Sequence, residues 1–274
     1  MYIDANDGVR LHYVTRGSGK GSPIVLVHGW SGSHRYFDSC IDLLAEKCPG
    51  SQIYALDLRF HGDSEKPAFG FHVSRLAADL RDFIEVLKLD QPTVVGTSLG
   101  CAICWSFVEL FTDRMIGKFV FVDQAPSQWK MTDWPHCSKG IYDPASLANI
   151  QRAVRDLPSF AQGNAECCLT KPVDKALLDV LTEETLKCDP EHLGKLMADH
   201  AQLDWRPILP RISKPCLNLF GDDSGCFPVE GTAAVGDLIG ANCVNVVFPG
   251  CNHWLYLEEP SNFAKRVAEF VRTA

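Results

Sequence analysis

Thr93-Val94-Val95-Gly96-Thr97-Ser98-Leu99-Gly100 decides how the rest of this chain is read. A short β-branched run leads into a Gly-x-Ser-x-Gly turn, and an apolar helical segment follows at once. A serine on so sharp a strand-to-helix turn takes a strained backbone, and its neighbours must be small. The turn lifts the Ser98 hydroxyl off the sheet. The helix N-terminus behind it favours negative charge that develops nearby. Ser98 is therefore a candidate nucleophile.

Working outward, the chain alternates strands and helices. Residues 1–16 read as two strands around Asn6-Asp7-Gly8, a tight-turn signal. Ile24 to Val27 is a buried-type strand ending in His28-Gly29-Trp30. Gln52 to Leu56 is another strand, followed by Asp57-Leu58-Arg59-Phe60-His61-Gly62. Helices are expected over 36–47 and 72–88, the second from Leu76, Leu80, Phe83, Ile84 and Leu87 on one face. Phe119 to Val122, Cys216 to Phe220 and Val244 to Phe248 continue the strands, and a last helix spans about 261–272. Such alternation implies βαβ units and a parallel sheet. Residues 127–210 break it. They hold no convincing strand, and prolines at 135, 144, 158, 172, 190, 207 and 210 separate helix-like pieces.

Composition narrows the partners. Of 274 residues, 46% are hydrophobic and 22% charged, which excludes a disordered chain, a coiled coil and a collagen. Acidic residues outnumber basic ones 34 to 26, for a net charge of −8, with no dense Lys/Arg block. Nucleic acid and anionic membrane are therefore not expected as partners. No apolar run reaches the roughly 18 residues of a membrane span. The first residues do not read as a signal peptide. Twelve cysteines fall below the roughly 8–10% of a disulfide scaffold, and Cys101, Cys104, Cys216 and Cys243 sit in apolar runs. Reduced thiols and a cytoplasmic location are expected. Cys101-x-x-Cys104 reads as core packing rather than a redox pair. No spacing of His, Cys or Asp reads as a zinc site, and no phosphate-binding loop occurs.

A serine needs a base. Of nine histidines, His12, His72, His136, His192 and His200 suit surface or packing roles. His28 and His61 belong to glycine turns and suit structural hydrogen bonds. His253, in Gly250-Cys251-Asn252-His253-Trp254, lies between the last strand and the last helix. That is the carboxyl edge of a parallel sheet, where Ser98 also lies, so His253 is the candidate base.

These residues together resemble the α/β-hydrolase fold over nearly the whole chain, and within it the small haloperoxidase-like serine esterases. The marks are His28-Gly29-Trp30, the Asp57 to Ser64 stretch similar to the family's D-x-R-G-H-G-x-S, the serine turn and the late histidine. Phe60 stands where that stretch usually has glycine. The resemblance implies an eight-stranded, mostly parallel α/β sheet flanked by helices, with a helical cap inserted after strand six. Residues 1–126 and 211–274 would form the core, and 127–210 the cap. It makes Ser98 the nucleophile, His253 the base, and the backbone N–H groups of Trp30 and Leu99 the oxyanion hole.

The triad acid is open between two positions. The family usually places it three residues beyond the glycine closing strand seven. Here that glycine is Gly221, and the third residue on is Ser224, with Asp222 and Asp223 one or two positions early. Some branches take the acid from the end of strand six, where Asp123 stands. Asp123 is preferred, with Asp223 the alternative. Trp30, Trp129 and Trp134 are candidate pocket residues, with Phe160 a further cap aromatic. No charged residue marks a substrate anchor, so a neutral or partly apolar small-molecule acyl substrate is expected, and no cofactor or metal is implied. The resemblance implies a carboxylesterase-like enzyme working through an acyl-enzyme on Ser98, with perhydrolysis as a possible side activity. Two other activities share the scaffold: a cofactor-free dioxygenase of hydroxylated heteroaromatics, whose members usually have histidine where Leu99 stands, and a hormone-receptor-like binder with slow turnover. Epoxide hydrolases and dehalogenases of this fold use a carboxylate where Ser98 stands.

Overall fold

Ile24-Val25-Leu26-Val27 shows no alternation because all four side chains are buried. A parallel strand covered on both faces demands this. It is β3 of the sheet in the computed structural model, which describes every residue except Lys20 and Ala274. The strands are β1 Tyr2–Asp4, β2 Arg10–Arg16, β3 Ile24–Val27, β4 Ile53–Leu56, β5 Thr93–Thr97, β6 Lys118–Val122, β7 Cys216–Gly221 and β8 Cys243–Phe248. Their spatial order is β1-β2-β4-β3-β5-β6-β7-β8. The β1–β2 and β2–β4 pairs are antiparallel and the rest parallel. The eight-stranded, mostly parallel α/β sheet is as expected.

The helices are α1 Asp38–Lys47, α2 Val73–Val86, α3 Leu99–Phe111, α4 Pro144–Ala153, α5 Leu157–Cys168, α6 Lys175–Leu186, α7 Pro190–Ala201, α8 Val229–Ile239, α9 Leu255–Glu258 and α10 Pro260–Arg272. Leu76, Leu80 and Phe83 of α2 pack with α3 and with Val235 and Ile239 of α8 in one apolar cluster. On the other face, Ile41 and Leu44 of α1 meet Phe263 and Val267 of α10. Every residue from Leu99 to Val108 in α3 is buried, which explains a helix apolar all round. Cys101 and Cys104 are fully buried there, as packing groups.

Two helix boundaries differ from the sequence pattern. The expected helix over 36–47 is a 3-10 turn, His34–Phe37, followed by α1. Asp57 Oδ1 accepts the His34 N–H at 2.7 Å and ties that turn to the neighbouring loop. At the far end, a separate turn, α9, precedes α10, whose first residue is Pro260, where a missing N–H costs nothing.

Residues 127–210 lie between β6 and β7. They contain α4 to α7 and, among the described residues, two isolated bridges, Ser127 to Asp204 and Met131 to Trp134, but no strand. Pro144, Pro158 and Pro190 stand at helix starts. Asp143 and Asp189 accept N–H bonds from the first turns of α4 and α7, with Pro144 and Pro190 next in the chain. The Trp205 N–H donates to Pro126 O at 2.9 Å, closing the neck of the segment. Among the described residues, no helix is long and apolar enough to cross a membrane.

Candidate active site

The sheet register builds the site. Thr97 of β5 pairs with Val122 of β6, so Ser98 and Asp123 leave adjacent strands side by side at the carboxyl edge. Ser98 has φ 53 and ψ −117, the strained conformation its turn demands. Neither flanking glycine can be replaced cheaply. A Cβ at Gly96 would stand 2.5 Å from Gly100 O, and one at Gly100 would stand 2.3 Å from Val27 O. Asp123 also has positive φ, at 45. Its N–H donates to Leu219 O at 2.9 Å, which turns the side chain toward the loops after β7 and β8.

Those loops hold the Asp123 carboxylate. Gly221 N–H donates to Oδ2 at 3.0 Å, and Ser224 Oγ donates to Oδ1 at 2.8 Å. His253, in the loop after β8, places Nδ1 2.8 Å from the same Oδ1. Asp123 is fully buried and His253 is 6% exposed. Burial raises the Asp123 carboxyl, opposed by the hydrogen bonds from His253, Gly221 and Ser224. Burial works to lower His253, but the neighbouring Cys226 and the Asp123 carboxylate outweigh it and raise the imidazole to about 10.

Ser98, His253 and Trp30 line one cavity of about 150 Å³. The hydroxyl of Ser98 donates to Gln124 Oε1 at 3.5 Å. Gly29 sits against the serine, since a Cβ there would lie 3.1 Å from Ser98 Cβ. Trp30 follows it, and Leu99 opens α3. Among the described residues, the backbone N–H groups of Trp30 and Leu99 have no protein acceptor. No Asp, Glu, Lys or Arg is among the residues around the cavity. His200 lines it too, and burial lowers its imidazole to about 4, so it is neutral.

Other candidates lie elsewhere. Asp223 is exposed and accepts from Thr170 Oγ1 at 2.9 Å, without contact to His253. Trp129 and Trp134 do not line the cavity, and the pocket reading is corrected for both. Trp129 packs with Leu147 and Met197, whereas Trp134 packs with Ala125 and Phe227 and donates to Ser127 O at 3.0 Å. Phe160 packs edge-on against Trp30, centroids 5.4 Å apart. His28 and His61 are structural. His28 Nε2 accepts from Leu58 N–H and His61 Nε2 from Ser31 N–H. Phe60 has φ 74, the conformation a glycine takes without strain, and it is fully buried and stacked on Phe71. Gln124 and Ser224, both against the candidate triad, escaped the sequence reading. Gln124 is marked only by following Asp123, and Ser224 only by standing where the usual acid stands.

A family model described as alpha/beta hydrolase fold matches residues 22–141. An esterase from Exiguobacterium antarcticum superposes with a TM-score of 0.92 at 23% identity, covering 99% of each chain. This chain has the α/β-hydrolase fold. A non-heme chloroperoxidase of Streptomyces lividans is 24% identical over 99% of each chain. A soluble epoxide hydrolase of a Corynebacterium species is 36% identical over 127 residues, which span 46% of this chain and 42% of that protein. This stretch of likeness is thus less than half the length of that relative.

Proposed function

We propose that this α/β-hydrolase is a serine hydrolase that cleaves a carboxylic ester or related acyl bond. The carrying observation is the 2.8 Å bond between His253 Nδ1 and Asp123 Oδ1, at the edge where Ser98 stands on its strained turn. Asp123 holds the imidazole in the tautomer that leaves Nε2 free to take a proton. His253 Nε2 takes the Ser98 proton as Oγ attacks the carbonyl carbon. The oxyanion rests on the N–H groups of Trp30 and Leu99, helped by the N-terminus of α3. The imidazolium then protonates the leaving alcohol, and water releases the acyl group by the same steps in reverse. Residues 127–210 act as the cap, whose α4, α5 and α7 supply one wall of the cavity. The uncharged wall, with Trp30, Ile150, Met197, Phe227 and Trp254, suits a small neutral acyl group. Twelve unpaired cysteines suit a reducing, cytoplasmic location.

The partial likeness to an epoxide hydrolase does not carry over as an activity. Epoxide opening on this fold uses a carboxylate nucleophile, and position 98 is serine. A panel of p-nitrophenyl esters of increasing chain length tests the proposal. Turnover highest for short acyl chains and abolished in Ser98→Ala supports it. No turnover of any ester by folded protein would sink it.

A further inference from the structure

Three thiols line the cavity that His253 also borders. Cys167 and Cys168 end α5, and Cys226 lies in the loop between β7 and α8. Their Sγ atoms lie within 4.8 Å of one another, with Cys168 and Cys226 3.8 Å apart. Zinc–thiolate bonds are about 2.3 Å, so two sulfurs on one tetrahedral ion stand about 3.8 Å apart. The surrounding backbone holds this spacing. Asn252 Nδ2 donates to Cys167 O at 3.0 Å, and Trp254 N–H donates to Cys168 O at 3.1 Å. The two neighbours of His253 thus grip the end of α5. Gly225 N–H donates to Asn252 Oδ1 at 2.6 Å, and a Cβ on Gly225 would lie 2.2 Å from Cys167 O. Only glycine lets the Cys226 loop approach so closely.

His253 gives Nδ1 to Asp123, and its ring lies against the Cys226 thiol. All four side chains border the same cavity. Cys167 is exposed, which gives an ion a route in. Three soft sulfurs select a soft d10 cation over calcium or magnesium. A second cluster, His12, His34 and Asp57, lacks this character. Both Nδ1 atoms there are already bonded to the Asp57 carboxylate, at 2.8 and 2.9 Å.

We propose that Cys167, Cys168 and Cys226 form a three-thiolate site for zinc or a like cation, and that an ion held there, against the His253 ring, silences the enzyme. Each thiol releases its proton to solvent as its sulfur–metal bond forms. An ion there places positive charge against the His253 ring and opposes its taking the Ser98 proton. The silencing rests on the role proposed above for His253, whereas the binding does not.

The test uses the full chain kept reduced with a phosphine. Cadmium should add a sulfur-to-metal charge-transfer band that saturates at one ion per chain. The band should fall by roughly a third in each of Cys167→Ser, Cys168→Ser and Cys226→Ser, one thiolate ligand being lost each time. Zinc should cut ester turnover at least tenfold, reversibly with a chelator. In the Cys167→Ser/Cys226→Ser double variant, the inhibiting zinc concentration should rise by at least the ~10–100-fold that loss of even an outer partner costs. No cadmium band on folded protein overturns the site. So does zinc inhibition unchanged in the double variant. A band with full activity in zinc overturns the silencing. A band on a protein that cleaves no ester leaves the site standing and removes the hydrolase reading instead.

Discussion

Among the described residues, two buried aspartates, Asp57 and Asp123, hold histidines at 2.8–2.9 Å in largely buried contacts, and only Asp123 sits where a reaction can use it. Asp57 bonds the Nδ1 atoms of His12 and His34 and also the N–H groups of His34 and Asp63. Burial works to raise its carboxyl, but the hydrogen bonds and charges of those histidines win, and it is held well below the usual carboxylate range. Asp123 accepts from one histidine, one N–H and one hydroxyl, and burial wins, so its carboxyl is raised. The first pair is saturated and braces a loop. The second faces a cavity with a strained serine in it. A His–Asp contact is therefore no sign of catalysis by itself. Location at the carboxyl edge, an imidazole nitrogen left over and a serine within the same cavity make the difference.

Four substitutions probe that contrast. Asp123→Asn should cost on the order of 10⁴ in kcat, because the amide favours the wrong imidazole tautomer, with the fold retained. Asp223→Asn should stay near the parent, and the reverse outcome would exchange their roles. Asp57→Asn should act on stability instead. Breaking a buried ion pair costs about 3–5 kcal/mol, read as a lower urea midpoint, while kcat per folded molecule changes little. A large loss of kcat at unchanged stability would erase the distinction between the two pairs. Ser224→Ala removes one donor to Asp123 and should cost about 1 kcal/mol of stability, with a loss of kcat well short of that of Asp123→Asn. The smallest effect concerns pH. The base works only when neutral, so activity should climb as pH rises through the raised value of His253, about 10. Asp123, Cys226 and the Phe227 ring face that imidazole. Cys226→Ser removes one cause of the rise and should move the climbing limb of kcat/KM to lower pH in chelator-treated, reduced protein. A limb that stays put would show that Cys226 carries no charge beside His253.

The sheet and the serine turn were legible because glycine and β-branched residues leave few alternatives. The all-buried run of β3 and the two glycines around Ser98 each exclude most other backbones. His253 was legible from chain order, as the histidine after the last strand. Asp123 was legible from its place at the end of β6, although only the structure brings out the Ser224 hydroxyl that binds it. Side-chain destinations in the segment after β6 were not legible. Trp129 and Trp134 lie in irregular chain, where no period tells which way an indole turns, and both pack beside the cavity rather than in it. The thiols that border the cavity were not legible either. Cys101, Cys104 and Cys251, close in sequence to the serine and the histidine, do not line the cavity, whereas Cys168 and Cys226, 58 residues apart, do. Proximity across such a separation is set by helix packing, which local pattern does not encode. Phe60 is a third case. Its positive φ follows from the turn, and its stacking on Phe71 offsets a strain of ~1–3 kcal/mol.

The most direct test of the central claim is labelling by a fluorophosphonate, followed by mass spectrometry of the modified peptide. An activated Ser98 should react with near one-to-one stoichiometry in the folded parent, and labelling should collapse in His253→Ala. Folded parent protein that stays unlabelled, or that carries the label on another serine, would contradict it.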